Sequence, residues 1–397
     1  MNRKFIAIIA VVLSLSPLVA QSPDPVILSY QRNFIRASMS TKIELLGDAS
    51  RITTVNMTPL YVDALTFALG AQPVLGQDAQ LVELVSVAAN KLAAYQDPTA
   101  LPAVRSAFKS MTDAKSRVAC LNAWAALAKG QKDEIDFLNS WFSESIAAAA
   151  TGTPSDAKVL AACAAALGKV GDRSSFGALF RAATSSVDTT VVASASSALN
   201  SLTDGYAENI LAIIATKRVK DMHAAFSFAM RKESLDAPER AKIAQVAFEV
   251  STDATTPPAD ALAQGQLLSA LILESMGQLT ALKWSDASPA VVRYFYRVQG
   301  DYKNDRSAVD ALIPVVRCMG AMQTPEAAQA LSIFLGLLNS ETEQKKTYNE
   351  QLMLAVIQAL GDLGDKTAFD YLLYVGYLDY PETVKKASRD ALARLQW

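Results

Sequence analysis

The sequence predicts an all-α chain, a right-handed α-solenoid of about nine antiparallel helix pairs, and three observations carry that prediction. The chain of 397 residues is 51% apolar and 19% charged, a composition that folds rather than stays disordered. Alanine fills several stretches while aromatics are 8%, which favours closely packed helices over a sandwich rich in Val, Ile, Thr and Tyr. Above all, one helix ending occurs twice, as Ala165-Ala166-Leu167-Gly168-Lys169-Val170-Gly171-Asp172 and as Gln358-Ala359-Leu360-Gly361-Asp362-Leu363-Gly364-Asp365.

Weaker copies of that ending stand at Lys91-Leu92-Ala93-Ala94, Ala126-Leu127-Ala128, Ala198-Leu199-Asn200, Ser275-Met276-Gly277, Cys318-Met319-Gly320 and Ala391-Leu392-Ala393. They recur roughly every 30 to 50 residues, the scale of a two-helix repeat. The large apolar residue packs inward, the Gly or Ala beside it admits a neighbouring helix, and the polar turn that follows stops the helix. At Asp97-Pro98 and Thr324-Pro325 a capping side chain precedes a proline at the first helical position, where the missing N–H is no loss.

These signals place paired helices at 58–71 with 78–95, 98–111 with 113–129, 133–149 with 154–170, 173–186 with 188–202 and 205–217 with 219–232. Further pairs follow at 236–251 with 259–279, 288–300 with 306–321, 325–339 with 343–363 and 366–378 with 381–396. The pattern is least regular over 204–258, where Thr255-Thr256-Pro257-Pro258 marks a loop. Residues 21–57 carry no such ending and read as one or two capping helices for a solenoid over 58–397.

On these residues the chain resembles the HEAT-repeat family. The match is best in the last units, where Gln358 to Asp365 supplies the closing A-L-G-x-L-G-D pattern and Pro381-Glu382-Thr383-Val384-Lys385 with Ala387 opens the next second helix. Most units depart from the strict consensus by lacking its turn Asp and paired Arg. A tetratricopeptide array fits less well, because its period is fixed at about 34 residues and the spacing here varies. The resemblance implies an extended helical surface for protein partners and a scaffold rather than an enzyme.

The first twenty residues have the parts of a secretory leader: Arg3 and Lys4, an apolar run from Phe5 to Leu15, then Ser16-Pro17 and the small Ala20. The run is too short for a good membrane span, and no cysteine stands near it to carry a lipid. The expectation is a periplasmic or secreted protein without a transmembrane segment. Cys120, Cys163 and Cys318 lie far apart in Ala- or Val-rich runs and read as buried free thiols, with no metal or redox spacing.

Little else points to chemistry. Acids and bases nearly balance, 39 against 37, which argues against nucleic acid. The sole histidine, His223, has no second histidine for a common metal site and reads as a helix-surface residue. Nucleotide, cofactor and nucleophile-elbow motifs are missing, so no catalytic residue, cofactor or metal ligand is assigned. Two alternatives to the scaffold remain: a purely structural envelope protein, and an α/α-barrel glycosidase or polysaccharide lyase. The latter would use carboxylates such as Asp133, Glu134 and Asp136, although Trp124, Trp141, Trp284 and Trp397 are too scattered to suggest a sugar cleft.

Tyrosine placement supplies the one candidate partner site: eight of twelve follow position 290. Tyr371, Tyr374 and Tyr377 recur at three-residue spacing, with Tyr380 continuing the series. Arg293 and Arg297 flank Tyr294-Phe295-Tyr296. Tyrosine offers contact area, a hydroxyl and little rotamer entropy to lose, which suits an interface; the alternative is a stripe packed between repeats. For the leader, N-terminal sequencing of the mature protein is expected to begin at Gln21, and a chain still starting at Met1 contradicts it.

Overall fold

The computed structural model describes residues 24–253, 261–345 and 347–396, so the expected leader and the loop at Thr255 to Pro258 lie outside the described residues. Twenty α-helices and no strand occur among them; one isolated bridge joins Asp365 and Gln396. In chain order the first ten are α1 (Pro25–Arg36), α2 (Met39–Ala49), α3 (Thr58–Leu75), α4 (Ala79–Tyr95), α5 (Leu101–Ser110), α6 (Ala114–Leu127), α7 (Lys132–Ala150), α8 (Ala157–Val170), α9 (Phe176–Ala183) and α10 (Thr189–Ser201). There follow α11 (Tyr206–Ala215), α12 (Val219–Arg231), α13 (Ala237–Asp253), α14 (Ala261–Leu282), α15 (Ser288–Lys303), α16 (Val309–Met322), α17 (Pro325–Lys345), α18 (Glu350–Leu363), α19 (Phe369–Val375) and α20 (Glu382–Leu392). None of the helices described is long and apolar enough to cross a membrane.

The chain divides into two compact units, residues 1–135 with 156–170 and residues 136–155 with 171–397. The third expected pair is thereby divided, since α8 joins the first unit against α6 while α7 from Asp136 onward belongs to the second. In the first unit α1, α3 and α5 pack side by side as one row, and α2, α4, α6 and α8 as another. The second unit repeats this scheme, with α15, α17 and α19 in a first row and α12, α14, α16, α18 and α20 in a second. Within these rows each helix packs on its row neighbours, and α1 with α2, α3 with α4, α5 with α6, α15 with α16, α17 with α18 and α19 with α20 pack as pairs, in the manner of an α-solenoid.

A local cassette restarts the first-row helices. The preceding helix ends in a left-handed residue, Gln96, Gly171, Lys283 or Gly364. One residue later a short 3₁₀ turn runs over Pro98–Ala100, Arg173–Ser175, Ser285–Ala287 or Lys366–Ala368. In three copies the intervening aspartate holds the turn, its Oδ1 accepting from Thr99, Ser174 or Thr367 N–H at 3.0, 2.8 and 2.9 Å; Trp284 stands in its place in the fourth. The turn's last residue, Ala100, Ser175, Ala287 or Ala368, is small and fully buried. At Gly171 and Gly364 φ is +72° and +67°, which glycine adopts without the Cβ penalty.

The closing motif works as its residues suggest in α16 and α18. Leu360 and Leu167 are fully buried. A Cβ on Gly320 of α16 would stand 2.8 Å from the Cα of Ala359 on α18, and one on Gly361 of α18 would stand 3.0 Å from the Cα of Ala391 on α20. Gly277 of α14 differs, with open space at its Cβ position.

The boundaries of the last two pairs depart from the periodicity. α17 continues to Lys345, past the expected break at 339–343, because Asn339 and Thr342 are polar yet buried. α18 then begins at Glu350, with Asn349 Oδ1 accepting from Leu352 N–H at 3.0 Å. At the last pair, α19 closes at Val375 and α20 at Leu392, each earlier than expected.

A buried lysine closes the start of the first unit. Lys42, 3% exposed, donates to the carbonyls of Phe34 (2.6 Å), Ile35 (3.3 Å) and Ala37 (2.7 Å) at the end of α1, and its Nζ lies 5.0 and 4.8 Å from the Phe34 and Phe67 ring centroids. The helix-end dipole and the two π-faces thus replace its lost hydration. Replacing Leu167 or Leu360 by Ala is expected to destabilise by about 2–5 kcal/mol, as for other buried leucines. Urea unfolding followed by circular dichroism measures it, with the exposed Leu262→Ala as a near-neutral control.

Candidate binding surfaces

The tyrosines lie on the first row of the second unit, and the structure separates them into three groups. Tyr380 is core: it is 4% exposed, and its hydroxyl lies 3.2 Å from Asn339 Oδ1 and 2.9 Å from Thr342 Oγ1. Its ring meets that of Tyr348 edge to face at 5.1 Å. The polar pair on the extended end of α17 draws the hydroxyl inward, so Tyr380 is removed from the expected partner surface.

Tyr294 and Tyr371 are half-buried. Tyr294 packs edge to face on Phe248 of α13 at 5.4 Å, and the Arg297 guanidinium lies 5.9 Å from its ring. Arg297 also donates to the Thr252 carbonyl at 2.7 Å near the end of α13. Tyr371 lies over Gly336 of α17, where a Cβ would meet its Cε1 at 2.8 Å, and its carbonyl accepts from Asn339 Nδ2.

Arg293, Tyr296, Tyr374 and Tyr377 are exposed. Tyr377 is 76% exposed, whereas the Tyr374 hydroxyl donates to Glu343 Oε2 at 3.2 Å, and that carboxylate holds its phenol above the ordinary range. With Ile333 and Leu337 on α17 and Leu373 on α19, these rings leave apolar surface on three successive first-row helices.

A second surface, not singled out by sequence, lies on the second row. The last three turns of α16, the length of α18, the end of α14 and the segment after α20 line a groove of about 1070 Å³. Ile313, Leu354, Ala355 and Ala359 form its apolar part, and Lys283, Arg317, Gln351, Gln358, Asp362 and Arg394 its polar part. Asp362 Oδ1 accepts from Arg394 at 2.6 Å, joining α18 to the segment after α20. Lys283 and Arg317 are exposed and have no ion-pair partner among the described residues. A sequence signal was present: the residue before the small residue of the closing motif is polar in three successive copies, as Glu274, Arg317 and Gln358.

The remaining reactive groups are engaged in structure. His223 Nε2 on α12 lies 3.7 Å from Glu274 Oε2 on α14, a contact that becomes ionic when the imidazole is protonated. Glu134 accepts from Arg105 at 3.2 Å. The thiols of Cys120, Cys163 and Cys318 are free and buried, and burial pushes all three up, to about 12 for Cys120 and about 11 for Cys318. No group of three His, Cys, Asp or Glu side chains placed to hold a metal occurs among the described residues.

No family model matches the chain, and no curated protein matches it. Tyr380→Phe, which strips a buried hydroxyl from Asn339 and Thr342, is expected to lower stability by about 1–2 kcal/mol. Tyr377→Ala should stay within about 0.5 kcal/mol. Chemical denaturation of the two variants measures the difference, and equal losses would contradict the core placement of Tyr380.

Proposed function

We propose that this protein is an exported, non-enzymatic scaffold of HEAT-like helix pairs that binds another protein. The observation that carries the reading is the second-row groove, where four elements contribute polar and apolar side chains to one open channel. Such a channel offers length and mixed chemistry, the properties that hold a polypeptide. None of its lining residues is aromatic, which disfavours carbohydrate, whose rings bind on aromatic platforms. Export is supported by the leader pattern of residues 1–20.

The apolar first-row surface around Tyr296, Ile333 and Tyr377 is a second place for a partner to rest. The two are separable by photo-crosslinking in the native envelope fraction, with a benzophenone amino acid placed at Gln358, at Tyr377 and, as a control, at the exposed Glu233. A discrete protein adduct from position 358 is expected. An adduct from position 377 alone would move the site to the first row, and none from either position would overturn the scaffold reading.

A further inference from the structure

The groove's charge says more than its shape. Lys283, Arg317 and Arg394 line it against a single carboxylate, Asp362, which is already held by Arg394. The chain as a whole carries a formal charge of −2, so this local excess of cations runs against the average of the molecule. Lys283 and Arg394 follow the ends of α14 and α20, where a cation also offsets the partial negative charge of terminal carbonyls. Arg317 has no such role, because it stands more than a turn before the end of α16, and its guanidinium has no ion-pair partner among the described residues. A planar fork of donors left open in a groove suits a carboxylate, which it can take with two parallel hydrogen bonds.

The remaining lining fits a peptide carrying that carboxylate. Gln351 and Gln358 stand seven residues apart on the exposed side of α18, about 10.5 Å along the helix. That spacing matches about three residues of extended chain. Each amide both donates and accepts, as the main chain of an extended peptide requires. Ile313 and Leu354 give apolar purchase beside them. A polyuronate shares the negative charge, but it finds no aromatic platform here.

Resting on the scaffold reading, we propose that the second-row groove binds an extended acidic peptide segment, with a carboxylate on Arg317 and main-chain amides on Gln351 and Gln358. The probe is a fluorescein-labelled dodecapeptide of repeating Ser-Glu-Gly, titrated with the full chain and followed by anisotropy. Binding is expected to weaken about tenfold or more in Arg317→Glu and by a smaller factor in Arg317→Lys, which keeps the charge but loses the two parallel hydrogen bonds. It should fall between about 0.05 and about 0.5 M salt, and should be lost when Gln replaces Glu in the peptide. Circular dichroism confirms that the variants are folded, and Lys129→Glu, a charge reversal at an exposed position outside either surface, should bind as the parent does.

No binding of the acidic peptide, or binding indifferent to Arg317→Glu, overturns the proposal. Equal binding of an oligogalacturonate of matched charge overturns the peptide assignment. Failure of the peptide while the adduct at position 358 still forms would leave the scaffold reading standing and remove only the acidic ligand. Failure of the peptide with no adduct from either position 358 or position 377 would remove both.

Discussion

The stretch from α15 to α20 depends on how near one second-row helix comes to the next. Gly320 brings α16 onto the backbone of α18 at Ala359, and Gly361 brings α18 onto α20 at Ala391. Ala359 and Ala391 occupy the same place in successive copies of the closing motif, so the receiving residue of one contact lies two positions before the glycine of the next. Any side chain at these glycines forces backbones apart, and interiors packed at crystal density have no slack to absorb the shift. The spacing so set brings Arg317 and Gln358 onto one groove floor and leaves Arg394 in reach of Asp362.

That contact explains which features were legible in the sequence. The Ala-Leu-Gly ending combines a buried anchor, a close approach and a helix stop, and all three have a residue type that announces them. The helices, their pairing outside α7 and α8, and the core places of Leu167 and Leu360 follow from it. The units were less legible, because α8 sides with α6 and not with α7, and no local residue type declares that choice. Gly277 shows the limit of the motif, since the same residue in the same place meets nothing within 4 Å.

Sites were harder to see for a different reason. Exposure depends on which neighbour covers a helix face, and spacing alone does not say. Tyr377 and Tyr380 stand three apart, yet one is 76% exposed and the other 4%. The difference is made by Asn339 and Thr342, two polar residues that apolar periodicity reads as a helix end. Buried polar groups mislead in this way elsewhere. Lys232, 4% exposed, donates to the Asn200 carbonyl at 2.7 Å and lies 4.4 Å from the Tyr206 ring centroid, much as Lys42 serves α1. Desolvation lowers the pKa of both amines, while a carbonyl and an aromatic face offset part of that penalty. Lys42 ties the end of α1 to α2, and Lys232 ties the end of α12 back to the end of α10, roles that composition records only as charge.

The glycine of the first row points to one more property. On the second row the contacts at Gly320 and Gly361 set backbone against backbone, but on the first row Gly336 receives the ring of Tyr371. An interposed ring adds a layer of about 3.5 Å, the van der Waals separation of carbon atoms. Between α17 and α19 the first row is therefore spaced by a side chain, whereas between α16 and α18 the second row is spaced by main chain against main chain. The spacing of the tyrosine-bearing row can thus be altered by replacing one ring, Tyr371, while that of the groove-bearing row is fixed by the backbone itself.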